Sequence, residues 1–146
     1  QIHALLYLTE VPLTAEDIAK TLKLARSNIS TSLKELQGWN LIRRVPVPHD
    51  RRDHFLGETD VWEIAKRIAT RRKELEIDPA LAALRDCEAL AKSEDNPETT
   101  RRLAAMLLFT EKIDRWHGEM LRIPRNQLEH LIKIGAKVLG YLPKAK

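Results

Sequence analysis

Residues 24–36 read LARSNISTSLKEL, and they carry the clearest pattern in the chain. Ile29, Leu33 and Leu36 recur at the spacing of one helical face. The positions between them carry short polar or basic side chains, so the opposite face is hydrophilic. We therefore predict an amphipathic helix from Arg26 to Gln37 that buries one face and leaves the other in water.

Two helical segments precede this stretch. Apolar residues at helical spacing predict the first within residues 1–8. Thr14 is the predicted N-cap of the second, because Asp17 follows it at the spacing of a capping box. Residues 23–25 then form a short turn. The order is helix, helix, tight turn, helix, and Gly38 is a suitable stop for the last of them.

The pattern changes after the third helix. Residues 41–47 are rich in β-branched side chains, residues 48–52 form a polar turn, and residues 53–56 can return as a second strand. Proline at two positions suits an edge hairpin, because proline cannot donate to a ladder. Three helices, a tight turn and a hairpin predict a winged helix-turn-helix DNA-binding domain over residues 1–58.

Residues 59–146 are predicted to be helical. Asp60 caps the first helix, Asp78-Pro79 is interpreted as a break and restart, and Asn96-Pro97 starts a long helix. Ile123-Pro124 breaks the chain once more. The predicted fold class is therefore mainly α with a small β-hairpin.

The helices of this second region carry apolar stripes. One stripe includes Met106, Leu107, Phe109, Ile113 and Trp116. The last helix carries another, formed by Leu128, Leu131, Ile132, Gly135, Val138, Leu139 and Leu142. A domain that is already compact before these helices needs somewhere to bury them, and a two-fold partner supplies that surface. We predict a helical dimerisation region over residues 59–146 and a homodimer.

The charges are unevenly distributed along the chain. The net charge is +4, but residues 20–52 hold eight basic and two acidic side chains, whereas residues 57–96 hold seven basic and ten acidic ones. A basic first third followed by an acidic middle indicates a phosphate-facing surface on the first domain only.

The outer face of the third helix is the predicted DNA-reading surface. An α-helix fits the major groove, and small polar side chains permit close approach. Arg26 and Asn28 offer bidentate hydrogen bonds to guanine and adenine respectively. Arg43 and Arg44 are placed for phosphates, and a hairpin tip with arginines can enter a minor groove. The candidate DNA-binding residues are Arg26, Ser27, Asn28, Ser30, Thr31 and Lys34 on the helix, and Arg43, Arg44, Arg51 and Arg52 on the wing.

The sequence lacks the motifs that are typical of several other classes of protein. The sequence has no Gly-rich phosphate loop, no nucleophile elbow and no HExxH pair, so we expect neither an enzyme nor a cofactor. Cys87 is the only cysteine, so an internal disulfide and a cysteine-based zinc site are excluded. We predict that Cys87 is buried. No apolar run reaches the roughly 20 residues of a membrane span, and no secretory signal is present. We expect a cytoplasmic protein without a membrane partner.

Two alternatives remain open. His49, Asp50, Asp53 and His54 surround the predicted turn and could ligate a metal, as in a metal-responsive regulator, or could simply set the turn and approach DNA. A winged helix can also serve as a protein–protein interaction module of a larger assembly.

The motifs at residues 24–36 and 38–44 resemble those of the MarR (multiple-antibiotic-resistance regulator) superfamily. Within it, the chain is most similar to the GbsR-like branch. The wing run at residues 50–55 resembles that family's D-x-R wing, and the agreement covers about residues 1–65.

The resemblance implies particular roles for these residues. It makes residues 26–34 the recognition helix, Arg52 the wing arginine, and Asp50 the residue that orients the hairpin. It also implies a transcriptional regulator that forms a homodimer held by its terminal helices, and a repressor that a small-molecule effector relieves. One departure is Ala25, which stands where the family has a capping Ser or Thr; the expected loss of stability is about 1 kcal/mol.

Overall fold

The computed structural model describes residues 1–138, with side chains described as far as residue 135. The chain forms two compact units, residues 1–71 and residues from 72 onward. The first unit contains α1 (Ile2–Leu8), β1 (Leu13–Thr14), α2 (Ala15–Leu22), α3 (Arg26–Gly38), β2 (Ile42–Val47), β3 (Asp50–Gly57) and most of α4 (Val61–Arg72). The second contains a π-helical turn (Lys73–Ile77), α5 (Asp78–Ser93), α6 (Pro97–Arg122) and α7 (Arg125–Val138). The predicted mainly helical fold with a small β-structure is confirmed. The predicted stripe positions Leu139 and Leu142 lie outside the described residues.

The capping box before α2 is present. The Thr14 N–H donates to Asp17 Oδ2 at 3.0 Å, and the Asp17 N–H donates to Thr14 Oγ1 at 3.2 Å. The Thr14 hydroxyl also donates to Asp17 Oδ2, at 2.6 Å, and this bond, followed by the one from the Thr14 N–H, lowers the pKa of Asp17. The helix ends at Lys23, whose left-handed φ of 54° makes the tight turn into α3. The capping box therefore fixes the start of the first helix of the helix-turn-helix, and the left-handed residue Lys23 ends it.

The ends of α3 differ from the prediction in one respect. Ala25 is its N-cap and provides no side-chain hydrogen bond, as expected. Gly38, however, is the last helical residue and does not adopt a positive φ; the left-handed residue is Asn40, with φ 56°. Asparagine tolerates this conformation better than most side chains, so it can replace glycine as the terminator.

The sheet has three antiparallel strands in the order β1-β3-β2. The two-residue strand β1 carries no sequence pattern of its own, so the sequence prediction missed it. The hairpin turn is also shorter than predicted: Val47 pairs with Asp50, leaving only Pro48-His49, with φ 65° at His49. Arg51 and Arg52 are therefore residues of β3, and their placement at the tip of the turn was wrong.

One continuous core lies beneath these elements. Its buried members are Ile2, Leu6, Ile18, Ile29, Leu33, Ile42 and Phe55, contributed by α1, α2, α3 and both long strands. The core also brings α1 very close to β3. A Cβ atom on Gly57 would lie 2.7 Å from the backbone oxygen of Leu6, so only glycine fits at this crossing.

Two predictions about the second unit were wrong. Asp78 has helical dihedral angles and the chain does not break at Asp78-Pro79. The wider π-helical turn precedes the proline, and such bulges accompany positions where the regular hydrogen-bond ladder is interrupted. Cys87 is exposed in the single chain, not buried. The predicted Asn96 cap is confirmed, since its Oδ1 accepts from the Thr99 N–H at 3.1 Å.

No helix within the described residues has the length and apolar character needed to cross a membrane.

We predict that Gly57→Ala lowers the free energy of unfolding by about 1–3 kcal/mol, because the added methyl group forces backbone against backbone. Gly38→Ala is the matched control: nothing lies within 4 Å of its Cβ position, so alanine should raise helix stability by about 0.5–1 kcal/mol. Urea unfolding followed by circular dichroism measures both. Equal effects of the two substitutions would contradict the close α1–β3 contact.

Candidate nucleic-acid interface

The two faces of α3 differ completely in burial. Ile29 is 0% and Leu33 3% exposed, and both belong to the core. All six residues predicted on the outer face are exposed: Arg26, Ser27, Asn28, Ser30, Thr31 and Lys34. The side chains that the sequence assigned to one hydrophilic face therefore do form one solvent-facing surface.

Few contacts restrain this surface. Arg26 Nη2 lies 3.5 Å from Glu16 Oε2 in a pair whose side chains are 75% and 60% exposed, which water screens strongly. The Thr31 hydroxyl donates to the Ser27 carbonyl oxygen at 3.2 Å and keeps its acceptor lone pairs. Asn28 and Lys34 make no side-chain hydrogen bond or ion pair with any described residue. Their polar atoms are available to an external partner.

Arg52 is held by a chelating contact with Asp50. Its Nε atom lies 3.0 Å from each carboxylate oxygen, and its backbone N–H donates to Asp50 Oδ1 at 3.0 Å. The guanidinium group of Arg52 holds the pKa of Asp50 far below its usual range, and the carboxylate in turn raises the pKa of Arg52. The pair fixes the direction of the guanidinium group, and both charges persist at neutral pH.

The other wing arginines are of two kinds. Arg44 pairs with Asp53 at 3.1 Å, and its guanidinium carbon lies 5.9 Å from the centre of the Phe55 ring, opposite it in the sheet. Arg43 and Arg51 are exposed and make no hydrogen bond or ion pair with the described residues. All four are on the surface, but only Arg44 and Arg52 have a charge that is paired with a carboxylate among the described residues.

The candidate metal residues are used in other ways. Asp50 and Asp53 hold arginines, and His54 is buried, with Nδ1 2.9 Å from the Arg52 carbonyl oxygen and Nε2 3.4 Å from Asp50 Oδ2. Within the described part of the chain, no three His, Cys, Asp or Glu residues are grouped to hold a metal ion.

Sequence reasoning missed two neighbours of the arginines. Glu16 approaches Arg26 from α2, and Phe55 lies opposite Arg44 on the sheet. Neither relation has a local sequence signal, because each depends on the packing of two elements.

These features define the class of the first unit: it is a winged helix-turn-helix. Its α2, the turn at Lys23 and α3 form the helix-turn-helix, and the β2–β3 hairpin forms the wing.

Comparison with known proteins agrees with this class. Residues 1–53 match the model of the MarR family. The match covers the helix-turn-helix and the beginning of β3. No curated protein sequence matches the chain.

Several solved structures are similar to the chain. One, described as the crystal structure of a transcriptional regulator, is 22% identical, with a TM-score of 0.55 over 82% of this chain and 79% of that one. The S. aureus MepR–DNA complex is 24% identical, with a TM-score of 0.37 over 73% and 72%. Lactococcus lactis ZitR (C30S mutant) is 23% identical, with a TM-score of 0.38 over 77% and 73%. The first of these shares the fold.

We predict that Ala25→Ser stabilises the chain by about 1 kcal/mol, because Ala25 has extended N-cap geometry and no capping oxygen. Thr14→Ala is the reference for the opposite change, since it removes the cap of α2 and should cost a similar amount. Chemical unfolding midpoints give both values. If Thr14→Ala lowered the unfolding midpoint and Ala25→Ser did not raise it, the free N–H groups at the start of α3 would be hydrogen-bonded to water.

Proposed function

We propose that this chain is a sequence-specific double-stranded DNA-binding transcriptional regulator that acts in the cytoplasm as a homodimeric repressor. The observation that carries the proposal is the outer face of α3, where polar and basic side chains are exposed beside a wing that carries four arginines. A helix of this kind can enter the major groove while a hairpin reaches the adjoining backbone or minor groove. The MarR family match over residues 1–53 supports the same assignment.

In this proposal, residues at the start of α3 recognise the bases. Asn28 has an unpaired amide for the edge of an adenine, and Arg26 can exchange its weak pair with Glu16 for the edge of a guanine. Ser27, Ser30 and Thr31 are small enough to let the helix approach closely. Lys34, at the far end of the exposed face, is suited to a phosphate.

The wing makes the phosphate and minor-groove contacts in this proposal. Arg43 and Arg51 carry unneutralised charge and would each displace a counterion from DNA. Arg44 is steadied by Asp53, and Arg52 is aimed by Asp50. An oriented guanidinium group loses less entropy when it inserts into a narrow groove. Asp50 therefore orients Arg52, although its negative charge offsets the positive charge of the arginine.

We expect Asn28→Ala and Arg26→Ala to weaken binding to the operator by about 1–3 kcal/mol while scarcely changing affinity for random duplex, because base-edge bonds are sequence-specific. Arg51→Ala and Arg52→Ala should weaken both and reduce the log–log salt slope by about one. Arg101→Ala, on an exposed ion-paired arginine of α6, is the control and should change neither. Salt titrations of operator and random duplexes separate the two kinds of residue.

Two outcomes would contradict this division of roles. If Arg52→Ala abolished operator preference while the helix variants kept it, sequence would be read by the wing. If the unaltered protein showed no preference among duplexes selected from genomic fragments, a winged-helix protein–protein interaction module would be the better assignment.

A homodimer with two such units predicts a pseudo-palindromic operator. Its half-sites should lie about one helical turn, roughly 10 bp, apart, because the two recognition helices enter the same side of the duplex. Hydroxyl-radical footprinting checks the spacing. A single asymmetric footprint would contradict two-fold binding.

We further propose that a polar small molecule relieves repression. The first unit holds an open cleft of about 710 Å³, whose lining includes Asn40, Arg43, Glu58 and Arg67. Arg67 pairs with Glu58 at 2.9 Å there, so the cleft offers both signs of charge beside the wing arginine Arg43. Screening metabolites for a change in DNA affinity, with Arg67→Met as the cleft variant, tests this regulation. A chain that no metabolite affects would be a constitutive regulator.

A further inference from the structure

His54 is a buried histidine in the middle of β3. Its side chain is only 7% exposed, whereas the arginines of the wing are on the surface. It lies opposite Thr14 of β1 on one side and Val45 of β2 on the other, so the sheet holds it from both edges. A buried histidine finds the partners of its ring nitrogens within the protein, because little water reaches them.

The strand β3 is irregular beside His54. β2 has only Pro46 between its partners of His54 and Asp50, whereas β3 has three residues between these positions. A bulge of this kind bends a strand and re-aims its side chains. The side chains of Asp50 and His54 meet across this bulge.

Both ring nitrogens of His54 face hydrogen-bond acceptors. Nδ1 lies 2.9 Å from the carbonyl oxygen of Arg52, and Nε2 lies 3.4 Å from Oδ2 of Asp50. A carbonyl oxygen and a carboxylate oxygen can only accept. Each nitrogen therefore has to carry a hydrogen for its contact to be favourable.

Neither neutral form of the imidazole ring meets this requirement. With the hydrogen on Nδ1, the lone pair of Nε2 points at Asp50; with the hydrogen on Nε2, the lone pair of Nδ1 points at the Arg52 carbonyl oxygen. The imidazolium ion carries both hydrogens and satisfies both contacts. Its positive charge then lies beside the Asp50 carboxylate, which is ionised because hydrogen bonds from Arg52 hold its pKa far below the usual range.

Charged groups reach His54 from β3 and from α2. On β3 they are the carboxylate of Asp50 and the guanidinium group of Arg52. On α2 the charged group is Asp17. Hydrogen bonds from Thr14 make the largest contribution to lowering the pKa of Asp17, and the charges of Arg52 and His54 lower it further.

The strands on either side add no charge at His54 itself. The residues that pair with it, Thr14 of β1 and Val45 of β2, are uncharged. The arginine next to Val45, Arg44, is paired with Asp53. Two carboxylates therefore share one guanidinium group around His54, and a protonated ring supplies the second positive charge.

We propose that His54 is a positioning residue of the wing, whose protonated ring ties the carboxylate that aims Arg52 to the backbone of the same strand. The inference rests on the proposed DNA-binding function and adds a pH-dependent element to it. A neutral ring would repel one of its two acceptors. Asp50 would then be held less firmly, and Arg52 with it.

Protonation of His54 affects the wing in one direction. The imidazolium ion fixes Asp50 and offsets its negative charge, so Arg52 is oriented and less neutralised when DNA approaches. Both effects strengthen binding as the pH falls through the range in which histidine side chains titrate. We expect affinity for DNA to decrease by about two- to fivefold from about pH 6 to about pH 8, the size of one partly screened ion pair.

The protonation state is measured first, in the free protein. Long-range ¹H–¹⁵N NMR spectra of the ¹⁵N-labelled chain distinguish an imidazolium ion from the two neutral tautomers, and His54→Gln identifies the signals of this ring. At about pH 6, both nitrogens of His54 should carry a hydrogen. A ring that is neutral throughout the range from about pH 5 to 8 overturns the proposal, whatever the protein does with DNA.

Binding to a random-sequence duplex of about 20 bp, two helical turns, then tests the positioning role, because the wing contacts do not depend on sequence. In His54→Gln the amide nitrogen can donate in the place of Nε2 at every pH, so affinity should lose most of its pH dependence. In His54→Asn the shorter amide replaces only Nδ1, so binding should also be independent of pH, and about two- to fivefold weaker than in His54→Gln. Circular dichroism verifies that both variants fold.

Arg52→Ala provides a measurement that a merely structural role would not change. If His54 acts through Arg52, removal of the guanidinium group should abolish the pH dependence, and His54→Gln should have no further effect in that background. His49→Asn is the matched control. It removes the exposed histidine of the same hairpin, asparagine tolerates its φ of 65°, and the pH dependence should persist.

The remaining outcomes separate this inference from the proposed function. A pH dependence that persists in Arg52→Ala or in His54→Gln overturns the positioning role and leaves the DNA-binding unit intact. A protein that binds no duplex at any pH overturns the proposed function and the positioning role together, even if NMR shows a protonated His54, because Arg52 would then have no groove to enter.

Discussion

The burial of one face of α3 is the constraint on which the first unit depends. Ile29 is fully buried with Ile18 of α2, and Leu33 and Phe55 complete the same cluster. Rotating α3 about its axis would bring these apolar side chains into water, at a cost of about 1.5–3 kcal/mol for each large residue. The core therefore determines which residues face outward. Arg26, Asn28 and their neighbours form a surface because the opposite side cannot leave the core.

The wing is tied to this core by two close approaches. β3 crosses α1 at Gly57, where the Leu6 backbone leaves no room for a side chain, and β1 adds a second partner along β3 at Phe55 and His54. On this fixed strand, Asp50 holds Arg52 and Phe55 underlies Arg44. Two of the four wing arginines are thus held by carboxylates, whereas Arg43 and Arg51 form no ion pair with the described residues. In the proposed function, this combination of paired and unpaired cations would suit DNA, whose grooves vary in width with sequence.

The second unit follows a different logic. Its internal contacts, such as Lys73 with Asp114 and Arg85 with Glu111, hold α5 and α6 together but use only one side of each helix. The other side is apolar on α6 and small on α5. Four large apolar side chains of α6, Met106, Phe109, Ile113 and Trp116, therefore remain exposed in the single chain.

Local sequence patterns predicted the helices of the first unit, their order and the outer face of α3. Helical spacing of apolar residues and caps such as Thr14 and Asn96 are local signals, and they act within a few residues. The sequence did not determine β1, the two-residue hairpin turn, the continuation of the helix through Pro79 or the exposure of Cys87. Each of these depends on a contact with a distant element or on the absence of one: β1 exists only because β3 lies beside it, and Cys87 is exposed because α6 packs on another side of α5. Tertiary structure also decided which arginines are restrained, since Arg44 reaches Asp53 and Phe55 only across the sheet. Local patterns specify which elements form and which face is apolar, whereas pairing between elements distant in sequence specifies where each charge is held.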